Sequence, residues 1–205
     1  MEIISHRGYW LTPDEQNTVA AFQRAIDHGF GIETDVRDFN KSLVISHDSP
    51  TDKCDAFESL LCIAKETEVM LAINVKSDGL SQDISKVMSG YPVNRWFVFD
   101  MSVPDMRWQL KSNNPTFGRI SDIEPTLPNL LGIQGVWLDI FESDWWTAAD
   151  LRELLEDYSV CVVSSELHKR DKSDLWEKLK PFSNNPRLSI CTDFPMEAER
   201  FFNED

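Results

Sequence analysis

Short apolar runs rich in Val, Ile and Phe alternate along the chain with stretches whose apolar residues recur at helical spacing. The runs at residues 2–5, 31–36, 69–75, 95–99, 116–120, 135–140, 160–164 and 188–192 predict strands. Between them, Val19, Phe22 and Ile26 form one apolar stripe, Phe57, Leu60, Leu61 and Ala64 a second, and Leu151, Leu154, Leu155 and Tyr158 a third. Weaker helical patterns carry Ile84, Val87 and Met88, then Met106 and Leu110, then Leu175 and Leu179, and finally Ala198, Phe201 and Phe202. Residues 125–131, with two prolines, give the weakest helix of the series. Gly29 can close the first helix in a left-handed conformation, and Thr147-x-x-Asp150 reads as a capping box.

Repeated strand-then-helix units with near-continuous apolar strands favour a parallel sheet closed into a compact (β/α)8 TIM barrel, one α/β domain over residues 1–205. No Gly-x-Gly-x-x-Gly follows any strand, so an open nucleotide-binding sheet is the poorer fit. Composition narrows the function. Twenty Lys and Arg against 35 Asp and Glu give a net charge of −15, which disfavours a nucleic-acid face. No polybasic cluster or long apolar span points to a membrane, and no secretory signal is visible, so a cytoplasmic location is expected. Cys54, Cys62, Cys161 and Cys191 lack Cys-x-x-Cys spacing and read as reduced, mostly buried thiols.

In such a barrel the chemistry belongs at the carboxyl ends of the strands. The first strand runs into His6-Arg7-Gly8. The second holds Glu33 and Asp35 at i, i+2, hence on one side, where two carboxylates repel unless a cation or proton lies between them. Leu43-Val44-Ile45-Ser46, read as an extension of that strand, ends in His47-Asp48, and the third strand ends in Asn74-Val75-Lys76. Oxygen donors from Glu33, Asp35 and Asn74 suit one hard divalent cation, Mg²⁺ or Ca²⁺. Two histidines with Arg7 and Lys76 around such an ion suit phosphoryl transfer to or from a small molecule.

Ser5-His6-Arg7-Gly8, Gln16-Asn17-Thr18, Glu33-x-Asp35-Val36 and His47-Asp48 form an ordered pattern that resembles the glycerophosphodiester phosphodiesterase family. Cys191-Thr192-Asp193-Phe194-Pro195 is similar to its closing segment. The resemblance implies a TIM barrel and metal-assisted hydrolysis of a phosphodiester. His6 and His47 would be the acid and base, Glu33 and Asp35 metal ligands, and Arg7 and Lys76 the phosphate contacts. An adjacent substrate hydroxyl could attack first, giving a cyclic phosphate.

Three departures qualify the pattern. Asn74 stands where the family has an acid, so metal affinity is expected to be modest. Only 27 positions separate His47 from Asn74, leaving room for one helix and no capping insertion, as in the sphingomyelinase D branch. Residues 163–168, Val-Ser-Ser-Glu-Leu-His, replace the family's usual Trp-Thr-x-Asn, so the leaving-group pocket differs. A lyase that stops at the cyclic phosphate, and a degenerate barrel that binds phosphorylated ligands without cleaving them, are the alternatives. Asp100, Asp139, Glu166 and Asp193 fall near strand ends and could orient substrate. Trp137 could stack on a head group, and Trp145 and Trp146 could form an exposed pair or cover the rim.

Overall fold

A computed structural model describes residues 1–203. Its strands are β1 (Glu2–Ser5), β2 (Gly31–Phe39), β3 (Ser42–Ile45), β4 (Leu71–Val75), β5 (Trp96–Phe99), β6 (Phe117–Ile120), β7 (Gly135–Leu138), β8 (Ser159–Val163) and β9 (Leu188–Thr192). The helices are α1 (Val19–Asp27), α2 (Phe57–Ala64), α3 (Ser81–Met88), α4 (Val103–Lys111), α5 (Ala148–Asp157), α6 (Ser173–Leu179) and α7 (Pro195–Asn203). Eight parallel strands run in the order β5-β4-β2-β1-β9-β8-β7-β6. The ends of that series meet at a single parallel bridge between Val98 and Thr116, where the Val98 N–H donates to the Pro115 carbonyl at 2.8 Å. The barrel is therefore nearly closed, as the strand–helix alternation predicts.

Side chains fill the barrel. Ile4, Ala72, Phe97, Phe99, Phe117, Trp137, Cys161, Val163 and Cys191 form its interior cluster. Phe97 stacks on Phe117 and Phe99 on Trp137, each pair with ring centroids 3.8 Å apart. Two further clusters pack the helices onto the outside of the two halves of the sheet. The predicted helix termini recur: Gly29 has φ +75°, and Thr147 and Asp150 form a reciprocal capping box at the start of α5.

Two expectations are corrected. Residues 125–131 form no helix; Pro125 and Pro128 lack amide donors, and the segment runs irregularly from Ser121 to Gln134. Leu43–Ile45 does not extend the second strand. It belongs to β3, which turns back antiparallel on β2 after Asn40 and Lys41, both in the left-handed region at φ 49° and 68°. That hairpin matters to the site, because the Ser46 N–H donates to the Asp35 carbonyl at 3.0 Å and the next residue is His47. The thiol expectation holds in part: Cys161 and Cys191 are buried, while Cys62 is exposed. Trp146 is buried, and Trp145 donates its indole N–H to the Asp139 carbonyl at 2.9 Å, so both cover the rim. Among the described residues no helix is long and apolar enough to cross a membrane.

Candidate active site

The carboxyl ends of β1, β2, β4 and the β2–β3 hairpin converge on a cavity of about 250 Å³. His6, Arg7, Glu33, Asp35, His47, Asn74 and Lys76, every site residue expected from the sequence, line it. Parallel register brings the acids and the amide together: Asp35 pairs with Asn74 across β2 and β4, and Glu33 lies two positions back on the same side. After β1 the chain turns sharply, with Arg7 at φ 56° and Gly8 at φ 83°. A Cβ on Gly8 would lie 2.9 Å from the Ala21 backbone, so only glycine allows α1 to approach this closely. The same turn aims the Arg7 N–H at Glu33 Oε2, 3.1 Å away.

Charge here is held by other charge. Asp35 is buried and shares its carboxylate among three groups. Its Oδ2 accepts from Asn17 Nδ2 at 2.8 Å and lies 3.2 Å from Arg7 Nε, and its Oδ1 lies 3.3 Å from Lys76 Nζ. Lys76 also reaches Asp100 Oδ2 at 3.6 Å, and Asp100 is paired with Arg119. Asn17 is itself in the left-handed region at φ 59° and accepts from Thr34 Oγ1 at 2.8 Å. Non-glycine residues in that region recur at this site, Arg7, Asn17 and Asp100 among them, which is backbone strain placed where geometry is demanded.

Burial, and then repulsion from Asp35, pushes the Glu33 carboxyl up to about 7, with His6, Lys76 and Arg7 opposing the rise. His6 is raised above the ordinary histidine value. Burial works against its protonation, but the hydrogen bond to Asp193 and the charges of Glu33 and Asp193 outweigh it. Its Nδ1 lies 2.7 Å from Asp193 Oδ1, and its Nε2 lies 3.9 Å from Glu33 Oε2. Because a carboxylate only accepts, Nδ1 carries the proton in that bond and Nε2 faces the acids. His47 is more open, with its side chain 47% exposed and Nδ1 2.9 Å from Asp48 Oδ1.

The donors suit a hard cation. Glu33, Asp35 and Asn74 offer only oxygen, and Asn74 Oδ1 is buried without a hydrogen-bond partner among the described residues. An orphaned acceptor beside two acids is the feature a cation would complete. Among the described residues no three His, Cys, Asp or Glu side chains form a metal-holding group; the further oxygen beside the two acids is the Asn74 amide.

The opposite wall was less legible. It carries Asp100, Arg119, Trp137, Asp139, Phe141 and His168. His168 Nε2 lies 2.7 Å from Asp139 Oδ1. Arg119 lies mid-strand in β6 with nothing in its neighbours to mark it, and His168 follows β8 in a 3-10 turn over Ser165–His168. Trp137 lines the cavity while stacking on Phe99. Glu166 does not line the cavity; it accepts from Ser164 Oγ, Thr192 Oγ1 and, at 3.1 Å, the Asp193 N–H, and so braces the carboxylate that orients His6.

No protein-family model matches the sequence, and no curated protein matches it. Solved structures do. A glycerophosphodiester phosphodiesterase from Agrobacterium tumefaciens str. C58 superposes with TM-score 0.65 at 16% identity, covering 98% of each chain. A glycerophosphoryl diester phosphodiesterase from Parabacteroides distasonis gives 0.71 at 12% identity, over 98% of this chain and 85% of the other. A Ca²⁺-dependent phosphatidylinositol-specific phospholipase C from Streptomyces antibioticus gives 0.52 at 9% identity, over 98% and 96%. At these identities the likeness establishes the fold alone, a (β/α)8 barrel that dihydropteroate synthases match as well, at TM-scores of 0.51 and 0.52.

Proposed function

We propose that the chain is a divalent-metal-dependent phosphodiester hydrolase acting on glycerophosphodiesters or related lysophospholipid-like diesters. The observation that carries this reading is the meeting of His6, Arg7, Glu33, Asp35, His47, Asn74 and Lys76 in one cavity, on the barrel that glycerophosphodiester phosphodiesterases share. Glu33, Asp35 and Asn74 would hold one Mg²⁺ or Ca²⁺. Bound there, the ion would supply charge neutralisation for a phosphate oxygen.

Arg7 and Lys76 give the phosphate two fixed cations, each already oriented by Asp35. His6, raised by Asp193 and Glu33, keeps its proton to higher pH than an ordinary imidazole and would give it up at Nε2. His47, open to solvent, takes the complementary role, accepting a proton from the attacking oxygen and returning it to water. Between His47 and β4, which carries Asn74, α2 is the one helix among the described residues, so no capping insertion stands there and a diester with a bulky alcohol fits the mouth.

A second reading, a barrel that binds phosphorylated ligands without cleaving them, is favoured by the amide at position 74 and by the three groups that already share Asp35. One experiment separates them. Glycerophosphocholine, glycerophosphoethanolamine, glycerophosphoinositol and lysophosphatidylcholine are incubated with the protein, with and without EDTA. Chelator-sensitive cleavage of any of them supports the hydrolase, and a cyclic phosphate that accumulates unopened identifies a lyase. Binding of these diesters without turnover at millimolar Mg²⁺ would overturn the hydrolase in favour of the binding barrel.

A further inference from the structure

Eight parallel strands carry seven helices among the described residues, and the connection that lacks one runs from β6 to β7. Between that irregular segment, residues 121–134, and α4 lies a cavity of about 520 Å³, about twice the size of the reactive one. Met101, Val103, Met106, Leu127, Pro128 and Leu130 give it an apolar lining, with Met101 and Met106 buried. Unbranched thioether side chains in such a lining adapt to a flexible ligand. The charged groups of this cavity are already paired: Arg119 binds Asp100, and its Nε donates to Glu124 Oε2 at 2.6 Å. The remaining polar residues, Ser102, Thr126 and Asn129, are exposed. Asp100 and Arg119 also line the reactive cavity, where Lys76 Nζ lies 3.6 Å from Asp100 Oδ2. One ion pair therefore stands between the two spaces and belongs to both.

Resting on the phosphodiesterase reading, we propose that this second cavity receives an alkyl or acyl tail carried by the substrate's alcohol, so that the protein prefers tailed diesters to the bare glycerol ones. A phosphate held at Lys76 lies one ion pair away from the cavity, so a short alcohol ends at the Asp100–Arg119 pair and a longer one passes over it. A hydrophilic alcohol finds no free charged partner there, whereas each methylene taken out of water is worth about fourfold in binding. Exposed apolar side chains gather on the same two elements, Val103 and Trp108 on α4 and Ile123 and Leu131 on the segment across the cavity. Apolar surface concentrated in this way marks a place where apolar matter docks, and its continuity with the reactive cavity assigns the substrate as the occupant.

The test compares glycerophosphocholine with its 1-butanoyl, 1-hexanoyl and 1-octanoyl lysophosphatidylcholine derivatives, all held below their micelle-forming concentrations, in the wild-type protein, Val103→Asp and Leu130→Asp. In the wild type kcat/KM should climb with tail length and favour the octanoyl ester over glycerophosphocholine by at least about 100-fold. Val103 is the first residue of α4, where an acid suits the helix, so Val103→Asp charges the cavity without opposing the fold. Both variants should lower the octanoyl preference by at least about tenfold while leaving glycerophosphocholine turnover within about threefold of wild type, which also reports that they are folded. A wild-type kcat/KM indifferent to tail length would give the cavity to another occupant, such as a second copy of the chain. A preference that survives both substitutions would place the tail elsewhere, and losses shared equally by all four substrates would show a merely structural role. Each of these three results overturns the inference while the hydrolase reading stands. A wild-type protein that cleaves none of the four overturns that reading and this inference with it.

Discussion

The Glu33 carboxyl offers a quantitative handle on the site. Raising it from the ordinary 4.5 to about 7 means that the folded protein keeps a proton that the unfolded chain releases. The contribution to stability is fully present below pH 4.5 and is lost as pH rises to about 7, a fall of about 3 kcal/mol. Glu33→Gln removes this loss, since an amide is neutral throughout and can still accept from the Arg7 N–H now 3.1 Å from Oε2. Urea unfolding in EDTA should therefore find the variant about 3 kcal/mol more stable than wild type at pH 8 and nearly equal to it at pH 4, or about 6–12 °C higher in Tm at the higher pH. Saturating Mg²⁺ at pH 8 should close the gap by stabilising wild type alone, because the ion replaces the missing proton. A variant less stable than wild type at pH 8, or a gap that does not change with pH, would refute the argument that buried, repelling acids define this site.

Other substitutions test neighbouring parts. Asp193→Asn removes the largest influence raising His6, so turnover should fall by about 100-fold or more and the alkaline limb of the pH–rate profile should move to lower pH; a profile that stays in place would break the link between them. Asn74→Asp supplies a third carboxylate, and calorimetric Mg²⁺ affinity should rise by about tenfold or more; unchanged affinity would take position 74 out of the ligand set. Gly8→Ala forces a Cβ into a left-handed turn against the Ala21 backbone and should cost about 1–3 kcal/mol in chemical denaturation, a loss absent if the turn can relax.

Much of this was legible in the sequence. Period-two and period-3.6 patterns mark strands and helices because nearly every element buries one face, and Glu33 with Asp35, like Asn74 with Lys76, could be put on one side of a strand because each pair sits two residues apart. Residues 125–131 misled, since Leu127, Leu130 and Leu131 mimic a helical stripe that two prolines forbid. The β2–β3 hairpin was hidden because its turn residues, Asn40 and Lys41, carry no glycine. The Asp139–His168 and Asp100–Arg119 pairs join residues from different strands and loops that no local spacing announces, and Glu166, a titratable residue just after β8, turned out to brace Asp193. What spacing cannot encode is which of several polar strand ends face one another across a closed barrel.

The most direct test of the account follows the phosphorus signal of the best-cleaved diester by NMR in the wild-type protein, His6→Ala and His47→Ala, each with Mg²⁺ and again after EDTA. The account predicts conversion to a phosphomonoester by the wild type with metal, and its loss in both histidine variants and in the chelated sample. Undiminished conversion with either imidazole removed would contradict it.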